Sequence, residues 1–249
     1  MNLDINPETR KQHLYTAMYL KRLFSLRQMD LDYSFTQMIQ ICTAPTKVYK
    51  MTAWRKQTRN QWARDDPSFI LITLFFVSFV SVAYSWAIRP WCFSCIVKSV
   101  IQGVFFSLLG GLAIATIIWY LVNQYMRIQR PHSPEQSVEW LYAVDIHFNS
   151  FFPVVLLVGI LQYILLPFLV RKQFLATFVA DAIWILAIGY YFYITFLGYT
   201  YLPFVKAPFV FLVVGGILSL MVLVFLCFGS NITRHVLISY FSRSEERRV

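Results

Sequence analysis

Residues 69–88 read FILITLFFVSFVSVAYSWAI, twenty positions without a charged side chain, set between Asp65-Asp66-Pro67 and Arg89-Pro90. At about 1.5 Å per helical residue such a run is about 30 Å long, the thickness of a bilayer's hydrocarbon core. Asp65-Asp66-Pro67 reads as a helix start, because a capping carboxylate accepts from free backbone N–H groups and Pro tolerates the first turn. Arg89-Pro90 ends it. The stretch reads as a transmembrane helix.

Four further runs follow, at about 100–122, 150–170, 175–197 and 208–229. The expected fold is therefore all-α: a polytopic membrane protein with five transmembrane helices over 69–229. A basic amphipathic helical segment, 1–68, precedes the bundle, and a polar tail, 230–249, follows it. Charged residues make up 14% of the chain, against about 25% in soluble domains, and the mean hydropathy is +0.56. A length of 249 residues alone fits one or two soluble domains, and the runs overrule that. Lys98 is placed to snorkel at the start of the second span. Gly111 and Ala115 form a small-xxx-small pair that lets another backbone come close. Pro153 and Pro167 should kink or bound the third span, which Arg171-Lys172 closes.

The first 68 residues hold 11 of the 22 basic residues and 6 of the 12 acidic ones. Leu31, Phe35, Met38 and Cys42 recur as one helix face would, and Met51, Trp54, Thr58 and Trp62 repeat the pattern after Ala44-Pro45. Arg55, Lys56, Arg59 and Arg64 stand largely between them. Trp beside Lys and Arg ahead of a span fits a helix in the headgroup layer, and a helical cap packed on the bundle fits equally. Arg55, Lys56, Arg59, Trp62, Arg64, Asp65 and Asp66 are thus candidates for contact with a partner or with headgroups. For Arg64, Asp65 and Asp66 the alternative is a structural anchor for the first span.

Positive charge ahead of the first span places the amino end in the cytosol, and five spans then place the carboxyl end in the lumen. Arg10, Lys11, Lys21 and Arg22 interrupt any apolar core of a cleavable signal peptide, so the first span is expected to direct insertion itself. Nucleic acid is not an expected partner. No RNP motif, zinc-finger spacing or Arg-Gly repeat accompanies the basic segment.

Chemistry-bearing residues are sparse. Asp181 lies about 9 Å inside the fourth span, where an acid must be protonated, paired or facing a wet cavity. Gln102 and Gln162 are its candidate intramembrane partners. A transporter would use such an acid to bind a cation or proton, and a bundle would use it as interhelical glue. Glu139, Asp145, His147 and Asn149 form an interfacial polar cluster. Asp145 and Asn149 share a face at i, i+4 while His147 points elsewhere, a poor metal set and a better contact for the amino-terminal segment. Cys92 and Cys95 read as two membrane-edge thiols, a disulfide being the alternative. Asn231-Ile232-Thr233 is a sequon abutting the fifth span. The chain shows no Gly-rich phosphate loop, HExxH, GxSxG or paired catalytic carboxylates, so neither enzyme activity nor a cofactor is expected.

The block Asn60-Gln61-Trp62-Ala63-Arg64-Asp65-Asp66-Pro67 closely resembles the motif before the first span in the uncoordinated-fifty (UNC-fifty) family. Phe24 to Asp30, Val138-Glu139-Trp140 through Asp145-Ile146-His147, and Tyr193 to Tyr199 resemble the same family. The resemblance implies a Golgi membrane protein, reported in animals also at the inner nuclear membrane. It implies association with guanine-nucleotide exchange factors for Arf GTPases, and support for trafficking or assembly of cell-surface receptors such as nicotinic acetylcholine receptors. RNA binding has been ascribed to a mammalian member. The resemblance brings no catalytic residue, and the family often carries an uncharged Asn where Asp181 stands. Three functions remain open at this point. They are a non-enzymatic adaptor, a small transporter or lipid-handling protein using Asp181, and an RNA-binding membrane protein.

Overall fold

The computed structural model describes residues 29–59, 61–64, 66–88, 91–128 and 136–242. Two helices come first, α1 (Leu31–Thr43) and α2 (Pro45–Arg59). The Asp30 carboxylate accepts from the Tyr33 N–H and caps α1. The stripe α1 turns inward is Ser34, Gln37, Met38 and Ile41, while Leu31, Phe35 and Cys42 are exposed. The apolar spacing of Leu31, Phe35, Met38 and Cys42 therefore does not mark the buried face. Two of the four inward side chains are polar, so hydrophobic periodicity reports the wrong stripe. On α2 the inward residues are Val48, Tyr49 and Thr52, with Met51, Trp54 and Thr58 outside.

Five long apolar helices follow: α3 (Ser68–Ile88), α4 (Phe93–Tyr125), α5 (Trp140–Ile164), α7 (Phe174–Thr200) and α8 (Val210–Cys227). A short turn of helix, α6 (Leu166–Leu169), sits between α5 and α7. Among the described residues there is no strand, only an isolated bridge between Arg127 and Val205. The polytopic all-α fold is thus the one its apolar runs dictate. The second span's helix starts at Phe93 and the third's at Trp140, both earlier than the uncharged runs suggest.

Within α5, Pro153 has no N–H to give to the Asn149 carbonyl, and residues Val155–Leu161 wind as a π-helix. A missing ladder bond followed by a widened turn is a recurrent way for a helix to absorb proline. Leu165, at φ −86° and ψ 0°, breaks the run, and Pro167 lies in the first turn of α6.

The cap formed by α1 and α2 shares one end of the bundle with the α4–α5 connection and the α7–α8 turn. There the Ile128 N–H donates to Phe204 O (2.8 Å) and the Lys206 N–H to Met126 O (2.7 Å). The α3–α4 and α5–α7 turns lie at the opposite end. Two features there correct the sequence reading. Cys92 and Cys95 are joined as a disulfide; three residues apart at the start of α4, their Cα atoms lie 5.2 Å apart, inside the span a bridge requires. The expected plain polar tail contains a helix, α9 (Ile232–Ser242), which packs back on α7. Gly229 makes the turn into it at φ +68°, a conformation open to glycine.

The core runs through the cap half of the bundle. Phe152 of α5 packs edge-on against Phe69 and Phe76 of α3, and Tyr142 donates to Gly198 O of α7 at 2.8 Å. A Cβ on Gly198 would sit 2.8 Å from Ile146 and 3.2 Å from Tyr49. Three elements converge on that glycine.

Candidate functional site

Arg64 organises the cap. It lies in the non-helical link between α2 and α3, yet it is only 7% exposed. Its Nη1 donates to Gln37 Oε1 of α1 at 2.8 Å and its Nη2 to Asn149 Oδ1 of α5. Its Nε lies 3.7 Å from Asp145 Oδ1, and its own backbone N–H donates to Asp145 Oδ2 at 2.6 Å. The guanidinium also covers the Phe69 ring at 4.4 Å from the centroid. A planar fork with five donors suits such a junction, where the point charge of a lysine would reach fewer partners.

Glu139 supplies the second fastening. Its carboxylate accepts from the Trp62 N–H (3.1 Å to each oxygen) and the Ala63 N–H (3.0 Å), with Lys56 Nζ 3.8 Å away. Burial raises the Glu139 carboxyl above its ordinary range, and the two N–H groups and Lys56 oppose that rise. Asp66 supplies the third: Oδ2 accepts from the Asp30 N–H at 2.7 Å, and Oδ1 from the Ser68 N–H at 3.0 Å. One carboxylate thus caps α3 and holds the start of α1.

Trp62 is turned inward against Tyr142 and Phe204, with Lys56 over its ring. Trp62 and Arg64 are both buried against protein. Arg55 donates to the Tyr33 hydroxyl at 3.2 Å. The Asp65 residue and the Arg59 side chain lie outside the described residues. Asp145 and Asn149 face the cap together, and His147 points the other way, bonding Tyr191 through Nδ1 at 2.8 Å. Gly111 gives His147 its room, since a Cβ there would lie 2.7 Å from Nε2. Among the described residues no group of three His, Cys, Asp or Glu could hold a metal ion.

A second polar cluster sits at the opposite end. Asp181 is fully buried; Oδ1 accepts from the Ile232 N–H at 3.1 Å, and Oδ2 has no hydrogen-bond partner among the described residues. Thr233 donates to Gln162 Oε1 and accepts from Trp184 Nε1, both at 3.1 Å. Gln162 therefore joins the Asp181 neighbourhood, while no hydrogen bond ties Gln102 to it among the described residues. These side chains fasten α9 to α5 and α7, a role the polar tail gives no sign of apart from the helix-capping Asn231. Asn231 Oδ1 accepts from the Arg234 N–H, and its amide nitrogen donates to Leu169 O at 2.8 Å. Both Asn231 and Thr233 are buried, so the sequon is expected to remain unmodified. Glycosidase treatment of protein from a secretory-competent cell should leave its electrophoretic mobility unchanged; a shift abolished by Asn231→Gln would contradict the packing of α9.

A family model for the UNC-50 family matches residues 19–241. The chain belongs to the UNC-50 family. It is 41% identical over 225 residues to a protein unc-50 homolog of Dictyostelium discoideum, covering 90% of this chain and 86% of that one. It is 37% identical over 241 residues to protein unc-50 homolog A of Xenopus laevis, covering 95% and 92%. With a Homo sapiens protein unc-50 homolog it shares 36% over 225 residues, covering 90% and 85%. No solved structure matches. The stretches that carry the UNC-50 resemblance meet in space. Trp62, Ala63, Arg64 and Asp66 bond to Glu139, Asp145 and Asp30, and Gly198 accepts from Tyr142. The UNC-50 motif thus maps onto the fastening of the cap to the bundle.

Proposed function

We propose that this multi-pass membrane protein is a non-enzymatic Golgi adaptor whose cap faces the cytosol and docks a guanine-nucleotide exchange factor for Arf GTPases. Through that factor it supports transport or assembly of surface receptors, nicotinic acetylcholine receptors among them. The inner nuclear membrane is a second location for the same chain. The observation that carries the reading is the cap itself: three polar fastenings, the one at Arg64 buried, tie it to the bundle while Leu31, Phe35 and Ile39, one helical stripe, are exposed. Lys47 and Lys50 are exposed on α2, placing positive charge for an acidic partner or anionic headgroups. A large apolar stripe beside basic residues is a recurrent protein or membrane contact.

Membership of the UNC-50 family and the five spans support the reading; the partner and compartment come from the resemblance. The transporter reading gains little from Asp181, whose accepting oxygen is committed to α9. The test is affinity capture from Golgi membranes. A Leu31→Asp, Phe35→Asp, Ile39→Asp variant is expected to lose the exchange factor at least tenfold while still sedimenting with membranes. Reversal of Arg55, Lys56 and Arg59 to Glu is expected to weaken it further. Undiminished capture by both variants would remove the adaptor proposal.

A further inference from the structure

A partly enclosed cavity of about 430 Å³ lies among α3, α4, α5, α7 and α9, within the size range of small-molecule sites. Its walls are mostly apolar, and the π-helical turn of α5 forms one of them through Val155, Val158 and Gly159. Such turns recur at functional sites because the widened coil redirects side chains and carbonyls. Here the Val158 carbonyl accepts from the Tyr84 hydroxyl of α3. Gly103 of α4 lies so close to Ser81 that a Cβ would sit 2.4 Å from its oxygen, which closes the α3–α4 side.

Polarity in the cavity is graded along the membrane normal. Gln162 lies two residues from the end of α5 and, with Thr233 and Trp184, forms the hydrogen-bonded group described above. At 1.5 Å per residue Gln162 stands about 3 Å from the end of α5 and Trp184 about 15 Å from the start of α7, so the group spans the depth between the bilayer edge and its middle. Ser107 stands fourteen residues into α4, close to mid-bilayer, and the walls between are mainly valine, with the Ser81 and Tyr84 hydroxyls donating to the Val77 and Val158 carbonyls. Among the described residues no charged side chain lines the cavity. A zwitterionic or anionic headgroup placed there would lack a counter-charge, and burying an unpaired charge is far costlier than burying a hydroxyl that finds a partner.

We propose that this cavity binds a neutral, hydroxyl-bearing membrane lipid of the sterol or diacylglycerol class. The hydroxyl sits at Gln162 and Thr233, and the apolar body lies along the π-turn toward mid-bilayer. This assignment is independent of the cap and of its orientation.

The test uses the full chain in nanodiscs of phosphatidylcholine doped at equal mole fraction with one of three photoreactive probes: a sterol, a diacylglycerol or a phosphatidylcholine. At least one neutral probe is expected to label residues 77–84 or 154–162 fivefold or more above the phosphatidylcholine probe, with competition by its unlabelled parent. The two neutral arms separate the sterol source from the diacylglycerol source. Val158→Trp should cut that labelling at least fivefold without lowering the melting temperature in detergent. Should that variant misfold, Ser107→Phe fills the same space from α4 and carries the same expectation. Equal labelling by all three probes would mean bulk acyl chains fill the cavity and would overturn the proposal. So would labelling that survives a folded cavity-filling variant.

Discussion

Arg64→Ala is expected to release the cap from the bundle, lowering the stability of the α1–α2 unit by about 3–5 kcal/mol, the scale for breaking a buried ion pair from one side. The substitution leaves Asp145 buried without its cation, and it strips Gln37 and Asn149 of a donor in the same step. Hydrogen exchange reads the effect directly. At 1.4 kcal/mol per tenfold, amides of α1 and α2 should exchange at least about a hundredfold faster, while those of α7 and α8 change little. Arg64→Lys should fall between, since one ammonium cannot span three elements. Adding Asp145→Asn to Arg64→Met should recover much of the loss, because the orphaned charge is gone and an amide oxygen still serves the residue 64 N–H. Unchanged protection of α1 and α2 in Arg64→Ala would show that the cap is held by its apolar contacts alone.

The five spans are legible in the sequence because twenty uncharged residues have one stable destination, although the third run outlasts α5 at Ile164 and the fifth extends past Val210–Cys227 at both ends. The sharing of a face by Asp145 and Asn149, with His147 turned away, is equally legible, since it follows from the 3.6-residue turn. Three things are not. The inward stripe of α1 is hidden because Gln37 and Ser34 are buried for their hydrogen bonds, which hydrophobic periodicity does not count. Trp62 and Arg64 are ambiguous because an interfacial anchor and a buried cation–aromatic junction use the same residue types. The helix α9 is hidden because its fastening depends on Asp181, Gln162 and Trp184, far away in the chain. The disulfide needed geometry, not spacing. In each case a polar side chain has its meaning fixed by a distant partner, where an apolar run has its meaning fixed by the solvent.

Glu139 shows the same dependence and gives the second large effect. Glu139→Ala leaves the Trp62 and Ala63 N–H groups without an acceptor in a partly buried link. At about 1–3 kcal/mol for each buried donor left unmade, a loss of about 2–6 kcal/mol is expected, read as a lower melting temperature in detergent and as faster exchange at residues 61–64. Glu139→Gln keeps one accepting oxygen and should lose less. The pH response separates charge from hydrogen bonding. The folded-state value of Glu139 is raised, chiefly by burial, so the folded chain holds its proton more tightly than the unfolded chain does. The carboxyl's contribution is then fully present below the unfolded value of about 4.3 and is lost as pH rises through the raised folded value. Between those limits the wild-type chain should lose stability with rising pH relative to Glu139→Gln, whose amide does not titrate. If the two stability curves run parallel across that window, the carboxylate is fully compensated by Lys56 and the two N–H groups. The link would then be held by a neutralised ion cluster instead of a strained acid.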